Sequence, residues 1–279
     1  MKQTKKQILA LTSLAVLAGL TQVIKPELSS QALACLLLAS LGVTLLSARA
    51  LKAQSEDTRR EIAAIPNQTQ RYVASELHSM QCLMTRFPDC SIPTTSWSMS
   101  FMSVHSIIEM MDQHKPKFVV EFGSGLSTLC IASWLREQGS GRLLSFDHDL
   151  DWASITRRHL LQAKLETYAK VVHAPLSGAP QKTSSTAWYD IPPDSLGNEE
   201  IDMVIIDGPP AGTRDKRLAR LPSLPVLHDH LSSSAVLFLD DANRPGECEV
   251  VEYWLEQYPS FSSSTMGGTT GLACLVRQG

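Results

Sequence analysis

The sequence predicts an α/β protein with a Rossmann-like, doubly wound and mainly parallel sheet, preceded by an N-terminal pair of apolar helices. Two observations carry this prediction. Short apolar strands alternate with helical segments over residues 97–279, and two uncharged runs occupy most of residues 1–50. Alternating strands and helices form βαβ units, whose parallel strands are covered by helices on both faces. The 279 residues suit one catalytic domain with an accessory segment.

Residues 1–50 are predicted to form a transmembrane helical hairpin. Residues 7–24 and 28–48 are uncharged runs of 18 and 21 residues, each about long enough to cross a hydrocarbon core of roughly 30 Å as a helix. The link at Pro26 is so short that the two spans must be antiparallel. Basic residues flank both outer ends, which predicts that the termini and the catalytic domain face the cytoplasm at an inner-membrane type bilayer. A cleaved or single-span segment and a soluble helix pair are the alternatives.

Residues 51–96 are predicted to form a helical stalk and linker. Apolar residues recur at three- and four-residue steps between Tyr72 and Phe87, which indicates one apolar helix face. Pro66 is expected to separate this helix from a more charged one around residues 53–64. The stalk either packs its apolar face on the following domain or forms a coiled coil with a partner.

Charge and cysteine content exclude some functional classes. The formal net charge is −3, and residues 51–279 carry seven more acidic than basic side chains. An acidic domain does not suit a nucleic-acid backbone as its main partner. The six cysteines form no Cys-x-x-Cys pair, which argues against a zinc site or a disulfide framework.

Six apolar runs of the globular part are predicted to be strands, with helices between them. Polar residues follow these runs at the carboxyl ends, where ligands bind in such sheets. Acidic side chains that end apolar strands are costly to bury unless they meet partners, so we expect the functional site at this edge. The strands are expected at 117–123, 142–149, 169–176, 201–210, 235–243 and 270–277, and the helices at 126–138, 151–166, within 214–231 and at 247–258.

A glycine loop follows the first strand. Gly123 and Gly125 allow a sharp turn and a close approach of the backbone to a ligand. Asp147 lies 22 residues after Gly125, at the end of the second strand, where it is placed to bind ribose hydroxyls. Because Thr128 stands where a dinucleotide fingerprint has its third glycine, the pattern favours an adenosine site and disfavours a diphosphate.

Four segments in order, VVEFGSGLST, SFDHDLDW, IDMVIIDGPP and VLFLDDANRPGE, resemble the successive motifs of class I S-adenosylmethionine (SAM)-dependent methyltransferases. The similarity covers residues 97–279. It implies a seven-stranded sheet that ends in an antiparallel hairpin, and SAM as the cofactor. It also implies that Glu121, Gly123 and Gly125 line the methionine end of SAM and that Asp147 holds its ribose. The neighbouring residues Ser124, Ser127 and His148 are expected to contact the cofactor as well.

Asp207 is the predicted catalytic residue, because it ends the most apolar strand and precedes a rigid Gly-Pro-Pro turn. Metal-dependent O-methyltransferases of this class hold Mg²⁺ with acids and an asparagine at the ends of two strands. The resemblance therefore offers Asp207, Asp240 and Asp241 as Mg²⁺ ligands, although the family's Asp-Asn is here Asp-Asp-Ala-Asn, ending at Asn243. Without a metal, the acids would act as a base, as acceptor-positioning groups or as structural caps.

The expected function is membrane-anchored, SAM-dependent methyl transfer, most readily to an oxygen of a small-molecule, sugar or lipid-linked acceptor. Such a reaction needs alignment of the acceptor with the methyl group and removal of a proton. A nicotinamide-dependent (NAD) oxidoreductase on a similar sheet and a non-catalytic membrane scaffold are the alternatives. Four basic residues after the Pro-Pro turn are expected on a solvated helix face, or as a clamp for an anionic acceptor or lipid headgroup: Arg214, Lys216, Arg217 and Arg220.

Overall fold

The computed structural model describes residues 30–90, 94–95, 97–178, 187–266, 268 and 270–278. The chain divides into two units, Met1–Gln68 and Thr69–Gly279, and the second unit contains the sheet. The strands are β1 (Phe118–Phe122), β2 (Arg142–Asp147), β3 (Ala169–His173), β4 (Leu176–Ser177), β5 (Trp188–Tyr189), β6 (Ile201–Ile206), β7 (Leu231–Asp240), β8 (Phe261–Met266) and β9 (Leu272–Arg277). The helices are α1 (Ser30–Arg86), α2 (Phe101–His114), α3 (Leu126–Gln138), α4 (Leu150–Gln162), α5 (Ser223–Leu227) and α6 (Pro245–Gln257), with a 3₁₀ turn at His228–His230.

The main sheet has seven strands in the order β3-β2-β1-β6-β7-β9-β8. Strands β1, β2, β3, β6 and β7 pair in parallel, whereas β9 pairs antiparallel with both β7 and β8. The predicted Rossmann-like sheet with an antiparallel final hairpin is therefore confirmed. The strand order reverses between β1 and β6, and in open α/β sheets that is the point where ligands bind.

Two hydrophobic cores lie on the two faces of the sheet, because successive side chains of a buried strand point to opposite sides. Val119 packs in one core with residues of α2, α3 and α4, such as Leu129. Val120 packs in the other core with residues of α5 and α6, such as Trp254. The near-continuous apolar strands of the sequence thus reflect burial on both faces.

Four elements could not be predicted from the sequence pattern. Strand β8 carries the run Ser262–Ser264, whose side chains are exposed at the edge of the sheet, so it has no apolar signal. Strands β4 and β5 are two residues long each and form a separate antiparallel hairpin. Helix α2 precedes the first strand; the side chain of Ser100 caps it by accepting a hydrogen bond from the N–H of Ser103 at 3.0 Å.

Helix α1 corrects the prediction of a break at Pro66. The structure continues the helix through this residue, from Ser30 to Arg86. A proline removes one N–H donor, which is a small part of the hydrogen bonding of a 57-residue helix. Within the part of the chain that the structure describes, no helix combines the length and the apolar character that a membrane crossing requires. The predicted span at 7–24 lies outside the described residues, and the hairpin stays a prediction.

The C-terminal end of α1 belongs to the second unit and packs on its core. Leu83 and Phe87 are each 1% exposed, as the predicted apolar face requires, whereas Leu77, on the same face, is 55% exposed. The guanidinium of Arg86 donates two hydrogen bonds to the carboxylate of Asp112 on α2, at 2.6 and 2.9 Å. This end of the helix therefore forms a wall of the second unit.

Candidate functional site

A cavity of about 670 Å³ lies at the carboxyl ends of β1, β2, β6 and β7. Its volume is within the range of small-molecule sites. The strand order β2-β1-β6-β7 aligns the residues that follow each strand into one row along this edge. The cavity is also lined by residues of α1, of the segment before α2 and of the start of α2, three of them aromatic. Lining residues from the row include Gly123, Gly125, Asp147, Asp207 and Asp240, and those from the other segments include Tyr72, Glu76, Trp97 and Phe101.

The glycine loop lies between β1 and helix α3, as predicted. Gly123 has φ of 93°, a conformation that L side chains rarely adopt, and a Cβ there would come within 3.3 Å of the backbone of Asp207. The N–H of Gly123 donates to the carbonyl of Phe146 at 2.8 Å, which ties the loop to β2. The indole N–H of Trp152 donates to the carbonyl of Ser124 at 2.5 Å, so the loop is held from the α4 side as well.

Glu121 lies beneath this loop, fully buried. The hydroxyls of Ser127 and Thr128 donate to its two carboxylate oxygens at 2.6 and 2.5 Å, and the hydroxyl of Thr128 also accepts from the N–H of Gly125 at 2.8 Å. Burial raises the pKa of Glu121 to about 7 against the effect of these donors. Glu121 was expected to line the ligand space; the structure instead places its carboxylate behind the cavity wall, because both oxygens are used to position the first turn of α3.

Asp147 lines the cavity and is 3% exposed. Its Oδ2 accepts from the N–H and from the hydroxyl of Ser124, at 2.9 and 2.5 Å, and its Oδ1 accepts from the N–H of Asp149 at 3.0 Å. Each carboxylate oxygen has two lone-pair sites, so Oδ1 retains acceptor capacity toward a ligand. The structure thus brings Ser124, Ser127, Asp147 and the glycines together along one wall, as the sequence predicts.

Two buried polar atoms beside Asp147 lack a hydrogen-bond partner among the described residues. They are Nδ1 of His148, which is 3.7 Å from Oδ1 of Asp147, and the hydroxyl of Tyr189. Tyr189 is 4% exposed and lines the cavity, and burial raises the pKa of its phenol well above the usual value. A buried hydroxyl without a partner is unfavourable, and a bound ligand with polar atoms would satisfy it. Sequence reasoning missed Tyr189 because the hairpin that carries it is too short for a periodic pattern.

Asp207, Asp240 and Asp241 converge, which confirms the predicted cluster: one oxygen of each lies within 4.8 Å of the others. Burial raises the pKa of Asp207 well above the ordinary Asp range, with the charge of Asp240 adding to the effect and Arg220 opposing it. Burial also raises the pKa of Asp240 to about 6. The hydroxyl of Ser103 donates to Asp240 at 3.2 Å. Asn243, which ends the Asp-Asp-Ala-Asn segment, is exposed.

Arg220 lies inside this cluster and corrects the expectation of a solvated helix face. It is 3% exposed, and its Nη2 lies 3.5 Å from Oδ1 of Asp207 and 3.1 Å from Oδ2 of Asp241. The segment before α5 consists of turns rather than helix, and its other predicted basic residues are exposed. Carboxylate oxygens are the ligands that Mg²⁺ prefers. Here, however, a guanidinium already provides a positive charge to two of the three carboxylates, so the residues present do not fit a further cation.

Comparisons with known proteins agree with this architecture. Residues 120–242 match the family model described as "Methyltransferase domain". No curated protein sequence matches the chain. Among solved structures, a protein from Klebsiella pneumoniae described as an O-methyltransferase has a TM-score of 0.50 and 15% identity, over 76% of this chain and 99% of that one. This likeness supports the fold.

Two further structures lie just below that level of similarity. The O-methyltransferase TomG from Streptomyces achromogenes, in complex with SAM, has a TM-score of 0.48 and 14% identity, over 72% of this chain and 90% of its own. The SAH-bound methyltransferase PaMTH1 from Podospora anserina has a TM-score of 0.49 and 13% identity, over 74% and 88% of the two chains.

We expect the substitution Glu121→Gln to flatten the pH dependence of stability between about pH 4.5 and 7. Burial raises the pKa of Glu121 to about 7 in the folded protein, from an ordinary value of 4.5. The carboxyl therefore contributes most to the free energy of unfolding below pH 4.5, and this contribution is lost as the pH rises through 7. The loss corresponds to roughly 3 kcal/mol, and an uncharged Gln does not incur it. Urea unfolding at pH 5 and pH 8 measures the difference.

The control is Glu252→Gln on the exposed part of α6, which should follow the wild-type pH dependence. If the free energy of unfolding changes equally with pH in the wild type and in Glu121→Gln, the buried carboxyl does not carry the predicted proton.

Proposed function

We propose that the chain is a class I, SAM-dependent methyltransferase that transfers a methyl group from SAM to an oxygen of a small-molecule acceptor, a proposal that the match of residues 120–242 to a methyltransferase domain supports. The acceptor can be a free metabolite, a sugar or a lipid-linked molecule. The observation that carries the proposal is the row of groups along the cavity: Asp147 after β2, the glycine loop after β1 and Asp207 after β6.

SAM is proposed to bind across the point where the strand order reverses. The glycine loop and the free N–H groups at the start of α3 would meet its methionine end, and the carboxylate of Asp147 would accept hydrogen bonds from its ribose hydroxyls. Tyr189 supplies a buried hydroxyl beside the same position, and an adenosine would provide the polar partner that it lacks. Thr128 in place of a third glycine binds Glu121, which leaves the loop without the glycine of a dinucleotide site.

Methyl transfer to a hydroxyl group requires a base, and Asp207 is proposed to be this base. A lone pair of the acceptor oxygen attacks the methyl carbon, the carbon–sulfur bond breaks, and its electrons remain on sulfur to give S-adenosylhomocysteine. The acceptor's proton passes to the carboxylate of Asp207. Burial raises the pKa of Asp207, which makes it a stronger base than an exposed Asp. Alignment of the reacting atoms by the cavity supplies the larger part of the acceleration.

The acceptor is proposed to occupy the part of the cavity toward α1 and the segment before α2. Tyr72, Trp97 and Phe101 line this part, and Trp97 is 73% exposed. Glu76 is positioned by the N–H of Phe101, which donates to its Oε2 at 3.0 Å. Aromatic surfaces with few polar groups favour an acceptor that combines an apolar or ring-shaped body with a hydroxyl group.

The substitution Asp147→Asn should weaken SAM binding by about 10- to 100-fold, because a hydrogen bond to a charged group contributes about 1.5–3 kcal/mol. Isothermal titration of the purified full chain with SAM measures the affinity. Absence of binding by folded wild-type protein would refute the proposed function, and unchanged affinity of the variant would refute the ribose assignment.

Asp202→Asn is the matched control for this titration. Asp202 also accepts two backbone N–H hydrogen bonds, from Lys117 and Phe118 at 2.8 and 3.1 Å, but it lies at the amino-terminal end of β6 and does not line the cavity. Its substitution should leave the SAM affinity unchanged. In the same assay Tyr189→Phe should lower the affinity for SAM, whereas Tyr258→Phe, outside the cavity lining, should not.

The substitution Asp207→Asn should lower kcat by about 10²–10⁴-fold, since an amide cannot accept the acceptor's proton. The affinity for SAM should change little, because Asp207 serves the acceptor rather than the cofactor. Release of S-adenosylhomocysteine is measured over a panel of phenolic, sugar and lipid-linked hydroxyl acceptors. An Asp207→Asn variant with wild-type turnover would exclude this residue as the base.

We further propose that residues 7–48 anchor the protein in a membrane, with the catalytic domain on the cytoplasmic side. Large apolar side chains on the described part of this stretch are 55–66% exposed, a surface that suits lipid rather than water. Arg49 and Lys52 follow the apolar run and would meet anionic headgroups. The exposed apolar residues are Leu41, Val43, Leu45 and Leu46.

The full chain is expected to float with phosphatidylglycerol-containing vesicles and to resist release by 1 M salt (roughly a 3 Å screening length), because burial of apolar groups is not screened. The double substitution Leu45→Glu and Leu46→Glu should reduce flotation. Leu161→Glu, at an equally exposed leucine of α4, is the control and should not. A wild-type chain that stays unbound would contradict the anchor.

A further inference from the structure

The acidic cluster of the site contains its own cation, Arg220. The residue lies between β6 and α5, and its guanidinium contacts carboxylates from the ends of both β6 and β7. Its Nη2 donates to Oδ2 of Asp241 at 3.1 Å and lies 3.5 Å from Oδ1 of Asp207. With 3% of its surface exposed, Arg220 is as buried as the carboxylates around it. A buried charge of this kind requires paired partners and full hydrogen bonding.

Backbone carbonyls, and not the carboxylates alone, fix the position of this guanidinium. Nη1 donates to the carbonyl of Asp240 at 2.8 Å, Nη2 donates to the carbonyl of Asp207 at 2.9 Å, and Nε donates to the carbonyl of Pro209 at 3.4 Å. These carbonyls belong to the end of β7 and to the turn that follows β6. The planar donor fork of arginine therefore ties the two strand ends together, and its removal would take a hydrogen-bond donor from three backbone carbonyl groups.

A second arginine also balances the negative charge of the acidic cluster. Arg244, at the start of α6, places Nη1 2.7 Å from Oδ2 of Asp241, the oxygen that also accepts from Arg220. Glu247 is 1% exposed and lies 4.0 Å from Nη1 of Arg220 and 3.9 Å from Nη1 of Arg244. A metal ion at Asp241 would have to displace these contacts and lie against a guanidinium that cannot move away.

We propose that Arg220 occupies the place of the divalent cation of metal-dependent O-methyltransferases, so that this protein binds no divalent cation at Asp207, Asp240 and Asp241 and transfers methyl groups without one. The statement about binding stands on the contacts above, and only the statement about turnover rests on the proposed function. Arg220 is in this respect a positioning residue: it orients the carboxylate of Asp207 toward the cavity that both residues line.

Thermal unfolding of the full chain with MgCl₂ or MnCl₂ tests the proposal without an acceptor. The melting temperature of the wild type should not change between 0 and 5 mM metal (roughly the range in which weak oxygen-ligand sites fill). The Arg220→Ala variant removes the guanidinium beside Asp207 and one of the two beside Asp241, and it should gain a metal-dependent rise in melting temperature. Arg217→Ala, which removes only an exposed partner of Glu249, is the control and should stay unresponsive.

Binding of Mn²⁺ by the wild type, followed by electron paramagnetic resonance and lost in Asp241→Asn, would overturn the proposal. If the Arg220→Ala variant folds and its melting temperature does not rise with metal, the claim that arginine and cation compete for one place is overturned. If Arg220→Ala does not fold, the wild-type Mn²⁺ measurement decides alone. Where turnover is available, excess EDTA should leave kcat unchanged; a chelator-sensitive enzyme would refute metal independence, whereas a protein that fails to bind SAM would refute only the proposed function.

Discussion

Compensation of buried negative charge is the constraint on which the rest of the site depends. A parallel sheet with two covered faces brings the carboxyl ends of its strands to one edge, and here that edge holds Glu121, Asp147, Asp207 and Asp240, each at most 15% exposed at the side chain. Removing a carboxylate from water is expensive unless hydrogen bonds or opposite charge replace the solvent. The loops and helix starts around the edge are arranged to supply these partners.

The partners differ along the edge, and this difference divides the site into two parts. At β1 and β2 they are neutral donors: the hydroxyls of Ser127 and Thr128 for Glu121, and the N–H and hydroxyl of Ser124 for Asp147. At β6 and β7 the main partner is the guanidinium of Arg220. Neutral donors leave the first part negative overall, which suits a cationic sulfonium cofactor. The fixed positive charge of the second part balances the carboxylates of Asp207 and Asp241.

Much of this arrangement follows from the order of apolar runs and the residues that end them. The strand ends predicted for Gly123, Asp147, Asp207 and Asp240 all meet at the cavity, because parallel strands share one polarity. Two side chains of the site could not be predicted from the sequence, since their positions depend on long-range packing. Tyr189 comes from a hairpin without periodicity, and Arg220 belongs to a run of turns that resembles a solvated helix. The one signal for Arg220 is its position among apolar residues, beside Leu218, Ala219 and Leu221.

A motif of acidic residues in the sequence does not show whether a metal ion or an arginine balances their charge. Both supply positive charge to carboxylates at neighbouring strand ends, and the acids look alike in either case. The deciding residue lies 13 positions after Asp207 and 21 before Asp241. Whether it reaches the cluster depends on the path of the turns between β6 and α5, which no local pattern encodes. Where those turns bring a guanidinium against the strand carbonyls, a residue of the chain itself balances the charge of the acidic cluster. The net charge of the cluster then does not vary with the metal available in solution.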